Sequence, residues 1–205
     1  MMKNLRVIIK VSVLTFLTAF VAQITFAQTY ESLYKIERQI VNIKVNSDGS
    51  SEEIEELTIL INSPLAVESN SQADISYNST FANVEVLEAY TILPDSRRVA
   101  VAQNAIRTVE DDISNGASQF SDVKHKIIIF PNVSVGARTY YKVKIITHTP
   151  LFPKNYVDGF IFSPDTEYGL VEYNFSHSPD IKINVESRQV PGGKITPDKD
   201  GSIRY

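Results

Sequence analysis

The stretch Val41-Asn42-Ile43-Lys44-Val45, followed by Asn46-Ser47-Asp48-Gly49 and then by Leu57-Thr58-Ile59-Leu60-Ile61, decides the fold. Successive side chains of a strand point to opposite faces, so Val41, Ile43 and Val45 share one face and Asn42 and Lys44 the other. Asp48-Gly49 stands between the two apolar runs, where a tight turn needs the positive φ that glycine adopts at little cost. The stretch is therefore predicted to be a β-hairpin with one buried and one wet face.

Outward from this hairpin the same period recurs. Tyr141, Val143 and Ile145 alternate with Lys142 and Lys144; Val171, Tyr173 and Phe175 with Glu172 and Asn174; Ile181, Ile183 and Val185 with Lys182 and Asn184. Pro94-Asp95-Ser96 separates Val84–Leu93 from Arg98–Val109, and Asn132 to Gly136 separates Lys126–Phe130 from Thr139–Thr147. Pro150, Pro153, Pro164 and Pro179 cut the later part into short pieces, since proline is not tolerated inside a central strand. Short strands with frequent turns predict an all-β fold, an antiparallel two-layer sandwich. Asn62 to Asn78 and Glu110 to Ser121 are polar and read as long surface loops.

The amino terminus has a different logic. Lys3, Arg6 and Lys10 precede an apolar run from Val11 to Ala22, and Thr25-Phe26-Ala27 puts small residues at the third and first positions before a cut. That order is a secretory signal, predicted to be cleaved after Ala27. A membrane anchor needs about 20 apolar residues, which Lys10, Gln23 and the hydroxyls interrupt, so no stable anchor is expected after cleavage. The expected domains are thus a signal peptide over 1–27 and a single β-sandwich over 28–205, in a protein exported to the bacterial periplasm or beyond it.

Charge and composition exclude several functions. Cleavage removes three of 20 basic and none of 24 acidic residues, leaving 17 against 24, a net charge of −7. Nucleic-acid affinity comes mainly from lysine and arginine on phosphates, so no nucleic-acid partner is expected. The chain has no cysteine, which removes thiol nucleophiles, redox pairs and thiolate zinc sites. His125, His148 and His177 match no local metal-binding spacing, and His148 shares strand parity with Lys142 and Lys144, facing solvent. Glu110-Asp111-Asp112 lacks the ligand pattern of an EF-hand, and Gly-x-Ser-x-Gly does not occur. Glu52, Glu53, Glu55 and Glu56 crowd the start of one strand and read as a solvated face. Neither cofactor, metal nor catalytic residue is expected, and the chain reads as a non-enzyme. The aromatics Tyr140, Tyr141, Tyr156, Phe160 and Phe162 are the candidate binding surface, and Asp122, just before Lys126–Phe130, is the candidate turn-fixing carboxylate.

Several landmarks resemble one family. They are Val45-Asn46-Ser47-Asp48-Gly49, Val84 to Tyr90 leading to Leu93-Pro94-Asp95, Phe120-Ser121-Asp122, Ile129-Phe130-Pro131-Asn132-Val133 with Gly136, and Tyr140-Tyr141-Lys142-Val143. In order and spacing, from Tyr34 to about Ile183, the chain resembles the bacterial domain of unknown function family 3857, the module found ahead of transglutaminase-like domains in exported proteins. The family usually has glycine where Ser96 stands and aspartate where Ala137 stands. The resemblance implies an immunoglobulin-like sandwich with an accessory or scaffold role beside a downstream transglutaminase-like module. That enzyme would hold the cysteine, histidine and aspartate this chain does not combine. A cell-envelope glycan- or protein-binding module is the alternative. Lys199-Asp200-Gly201-Ser202 reads as a further turn and Ile203-Arg204-Tyr205 as a strand cut short, so the chain is expected to be a fragment of a longer protein, truncated at its carboxyl end.

Overall fold

The computed structural model describes residues 32–111, 122–189, 196–197 and 203–204. The predicted signal peptide and most of the Glu110–Ser121 stretch lie outside these residues. Among them there is no α-helix. The strands are β1 (Tyr34–Val45), β2 (Ser51–Ile61), β3 (Gln72–Asn78), β4 (Ala82–Ile92), β5 (Arg98–Ala100), β6 (Ile106–Glu110), β7 (Val123–Ile129), β8 (Arg138–Thr147), β9 (Glu167–His177), β10 (Thr196–Pro197) and β11 (Ile203–Arg204). They form two open sheets packed on each other: an eight-stranded sheet ordered β10-β11-β9-β1-β2-β8-β4-β5 and a three-stranded sheet ordered β3-β7-β6.

The predicted hairpin around Asp48-Gly49 is β1–β2. Its turn closes through Asn46 N–H to Ser50 O at 2.8 Å, with Gly49 at φ 95°. The register then pairs Val45 with Ser51, Ile43 with Glu53, Val41 with Glu55 and Gln39 with Leu57. Carried across the sheet, one inner row reads Phe175, Ile43, Glu53, Ile145, Val84, and the next reads Tyr173, Val41, Glu55, Val143, Val86. Residues directly opposite in a ladder share a face, so in these two rows only β2 places charged side chains on the inner face.

Two covers bury that face. The small sheet supplies Ile128, Ala73 and Ile75, which with Phe130 pack on Tyr141, Val143, Val86 and Ala89. On the other half Val41, Ile43, Val45 and Phe175 pack with Ile181, Tyr156 and Ile183. Full burial of a side chain of this size contributes about 1.5–3 kcal/mol, and Val45, Val143 and Ile128 are at most 1 % exposed.

Four local expectations change. Arg98–Val109 is two strands: η2 (Gln103–Ala105), a 3₁₀ turn, carries the chain from β5 in the large sheet to β6 in the small one. Asn62–Asn78 is not all loop. After η1 (Pro64–Ala66), Gln72–Asn78 forms edge strand β3 on β7, with Ala73, Ile75 and Tyr77 turned in and Gln72, Asp74 and Ser76 out. Ile181–Val185 makes no ladder; Ile181 is 3 % exposed, Ile183 is half-buried and Val185 is open, so the segment covers the sheet by side-chain packing alone. And among antiparallel ladders the β1–β9 pair is parallel. β8 and β9 therefore run the same way on opposite sides of the β1–β2 pair, which forces residues 148–166 to return along the sheet. Residues 198–202, with most of the expected final turn, lie outside the described residues, while β10 and β11 pair with each other and β11 pairs with β9.

Two turns show how the backbone meets its constraints. Ser96 adopts φ 69°, a left-handed geometry that costs a non-glycine residue about 1–2 kcal/mol, and stands where the resembled family usually has glycine. Gly169 faces the extra residue of the β1 bulge, Glu37, and a Cβ there would lie 2.4 Å from the Glu37 carbonyl oxygen. Gly169→Ala should therefore lower stability by about 1–3 kcal/mol in denaturant titration, the cost of overpacking against backbone. An unchanged midpoint would show that the bulge does not hold β9 at this spacing.

Candidate functional site

β2 lies between the two covers, and its inward side chains are Ser51, Glu53, Glu55 and Leu57. The acidic run thus divides by parity. Glu52 and Glu56 point outward and pair with Lys144 at 2.8 Å and Lys142 at 2.9 Å, as a solvated face would. Glu53 and Glu55 do not: they enter the half-buried inner face, which corrects the reading of all four as solvent-facing. The physical reason is the register. Once Ile43 and Val41 are buried, the residues opposite them on β2 are drawn onto the same half-buried face.

Each inner carboxylate has a distinct environment. Glu55 accepts hydrogen bonds from Gln39 Nε2 at 2.9 Å and Tyr141 Oη at 3.3 Å. Burial raises its pKa, and these two donors oppose the rise. Glu53 lies between Ile43 and Ile145 in its row, and burial, then the charges of Asp158 and Glu55, raises it from 4.5 to about 7. Asp158 comes from the returning segment 148–166 and accepts from Tyr156 Oη at 3.3 Å and from Tyr173 Oη. Burial, followed by the neighbouring carboxylates, pushes the hydroxyls of Tyr141, Tyr156 and Tyr173 upward, so all three remain protonated donors.

The candidate aromatics separate. Tyr141 and Tyr156 belong to this inner cluster, Tyr156 also resting on Phe175 with ring centroids 5.5 Å apart. Phe160 and Phe162 follow along the same segment, Phe160 6.3 Å from Tyr173 and 4.8 Å from Phe162, which meets Tyr168 at 5.0 Å. Tyr140 points to the opposite face, where it stacks on Tyr90 at 4.4 Å; burial and then Glu56 raise its hydroxyl to about 12. Arg98 sits 4.5 Å over the Tyr90 ring. On that outer face Asn42, Lys44, Glu52, Ile54, Asn174 and Ser176 line a groove of about 390 Å³.

Asp122 lies at the entry to β7. Its carbonyl accepts Ser79 N–H at 2.8 Å and its carboxylate accepts the Thr80 hydroxyl, tying the β3–β4 turn to β7. The histidines are apart: His125 Nδ1 is 2.8 Å from Asp74 Oδ1, His148 is exposed, and His177 is 2 % exposed with Nδ1 2.7 Å from Ser178 O. Among the described residues no group of three or more His, Asp or Glu side chains is placed to hold a metal ion.

The sequence of residues 47–205 matches DUF3857, a domain of unknown function with solved structure. The chain belongs to this family. Its fold is similar to part of a candidate protease from Parabacteroides distasonis, at TM-score 0.69 and 17 % identity, covering 84 % of this chain and 34 % of that one. A weaker likeness, TM-score 0.39 at 10 % identity, is to the M1 zinc metallopeptidase of Deinococcus radiodurans, over 85 % of this chain and 39 % of that one. This chain spans about a third of the length of the Parabacteroides protein. No curated protein matches it by sequence.

The site and its flanking turn generate two predictions. The raised pKa of Glu53 means that the folded state keeps this proton up to about pH 7 while the unfolded chain releases it near 4.5. Stability from this group is therefore greatest below pH 4.5 and falls as pH rises to about 7, and Glu55 acts in the same direction. Glu53→Gln should flatten the decline in melting temperature between pH 5 and pH 8; a variant with the wild-type slope would contradict the assignment. Asp122→Ala should cost about 1 kcal/mol in urea titration, with Asp122→Asn closer to wild type because its amide oxygen still accepts from Thr80.

Proposed function

We propose that the chain is a non-catalytic accessory module of an exported bacterial protein, and that it packs against a further part of that protein, transglutaminase-like by family resemblance. The observation that carries this reading is the returning segment itself. Its inward residues Tyr156 and Phe160 are held on the sheet, whereas Leu151, Phe152, Val157 and Ile161 are exposed to 66 %, 65 %, 94 % and 90 %. An apolar concentration of this kind on one surface stretch marks an interaction site.

The glycan-binding reading needs an aromatic platform beside polar groups. On the outer face these are apart: the groove gathers Asn42, Lys44, Glu52 and Asn174, while the Tyr90–Tyr140 stack lies four residues back along β8 from Lys144. Packing against protein is favoured.

The test uses the chain added in trans to the remainder of its own protein. It should bind, and the double variant Val157→Ser, Ile161→Ser should weaken binding about tenfold or more, as truncation of central apolar contacts does. Equal binding by the variant, or no binding by the wild type, contradicts the packing role. Casein cleavage by the chain alone would contradict the non-catalytic one.

A further inference from the structure

The returning segment is attached to the sheet in an unusual way. Its apolar contacts, Tyr156 on Phe175 and Phe160 near Tyr173, hold it down, and Lys154 N–H bonds the Asp48 carbonyl at 2.8 Å where Gly49 lets the two backbones approach. Asp158, fixed by the Tyr156 and Tyr173 hydroxyls, is held above an inner face that already carries Glu53 and Glu55. We propose that Glu53 and Asp158 form a proton-controlled latch: with Glu53 protonated the segment around Asp158 is held on the sheet, and with Glu53 ionised it is loosened.

The groups around Glu53 make the switch one-sided. From its own strand it meets Glu55, from the returning segment Asp158 and Tyr156, from β9 Tyr173 and from β8 Tyr141. From β1 it meets the apolar Ile43, while Gln39 of the same strand is engaged by Glu55. The lysines of β8, Lys142 and Lys144, belong to the opposite face with Glu56 and Glu52, and Lys154 is exposed at the Asp48 contact. Ionisation of Glu53 thus adds a like charge in a partly dry site where, among the described residues, no lysine or arginine faces it, and the movable member of the group is the one carried by a loop. Protonation removes that charge and with it the repulsion of Asp158. The latch rests on this inner-face geometry and not on the docking reading, although the segment it holds is the one that exposes Val157 and Ile161.

Hydrogen exchange on the 205-residue chain tests it. After correction for intrinsic rates, amides of residues 154–162 should lose about tenfold in protection between pH 5.5 and 8.5, with a midpoint near 7, while β4 amides do not change. Glu53→Gln should keep the low-pH protection at both values. Because His177 lies one row away on the same face, this variant makes the assignment. Asp158→Asn, a second and independent variant, should move the midpoint downward by removing the facing charge. Equal wild-type protection at both pH values, a persistent transition in Glu53→Gln, or an unmoved midpoint in Asp158→Asn each overturns the latch.

Discussion

The constraint on which the rest of the structure depends is the pairing of β1 with β2 across the Asp48-Gly49 turn. It fixes which residues of β2 share a face with Val41, Ile43 and Val45, and a slip of one residue would exchange the two faces. With the observed register the outer face gains its Glu–Lys pairs, each worth only about 0.2–1 kcal/mol where exposed to this degree. The inner face gains two carboxylates. Their burial is unfavourable by itself, and the structure offsets it locally with the amide of Gln39 and the hydroxyl of Tyr141 for Glu55, and with retention of a proton for Glu53.

The second constraint is directional. β9 runs parallel to β1, and so the chain cannot pass from β8 to β9 by a tight turn. The long return places Tyr156, Asp158 and Phe160 over the inner face and leaves Val157 and Ile161 outside. A single topological requirement thereby produces both features of interest: a carboxylate brought to Glu53, and an apolar ridge facing away from the sheet.

Much of the fold was legible because alternation and turn residues act locally. β1, β8 and β9 follow from Val41–Val45, Tyr141–Ile145 and Val171–Phe175, whose burial has the predicted period. β3 is hard to read because its alternation is short and weak, with Ala73 as one of three inward residues and the polar stretch before it reading as loop, and its place is set by the ladder to β7. The alternation of Ile181, Ile183 and Val185 matches burial only for the first two, Val185 being exposed, and does not make a strand, since period two reports which side is covered and not whether the backbone has a partner. The site was less legible: Tyr156 and Tyr141 are next to the acidic cluster, but Tyr140 is not. Glu53 and Glu55 were accessible in principle, because the turn at Asp48-Gly49 together with the parity of Ile43 places them opposite buried residues. Asp158 was not, because nothing local says that residues 148–166 cross this sheet.

The inner face and the returning segment meet at Glu53, a half-buried carboxyl that keeps its proton to near neutral pH. Carbon-13 NMR of its side-chain carboxyl through a pH titration measures this directly. A midpoint near 7, displaced downward in Asp158→Asn, is the predicted result. A midpoint near the ordinary 4.5 would show Glu53 in solvent and would contradict both the inner-face register and the role assigned to the returning segment.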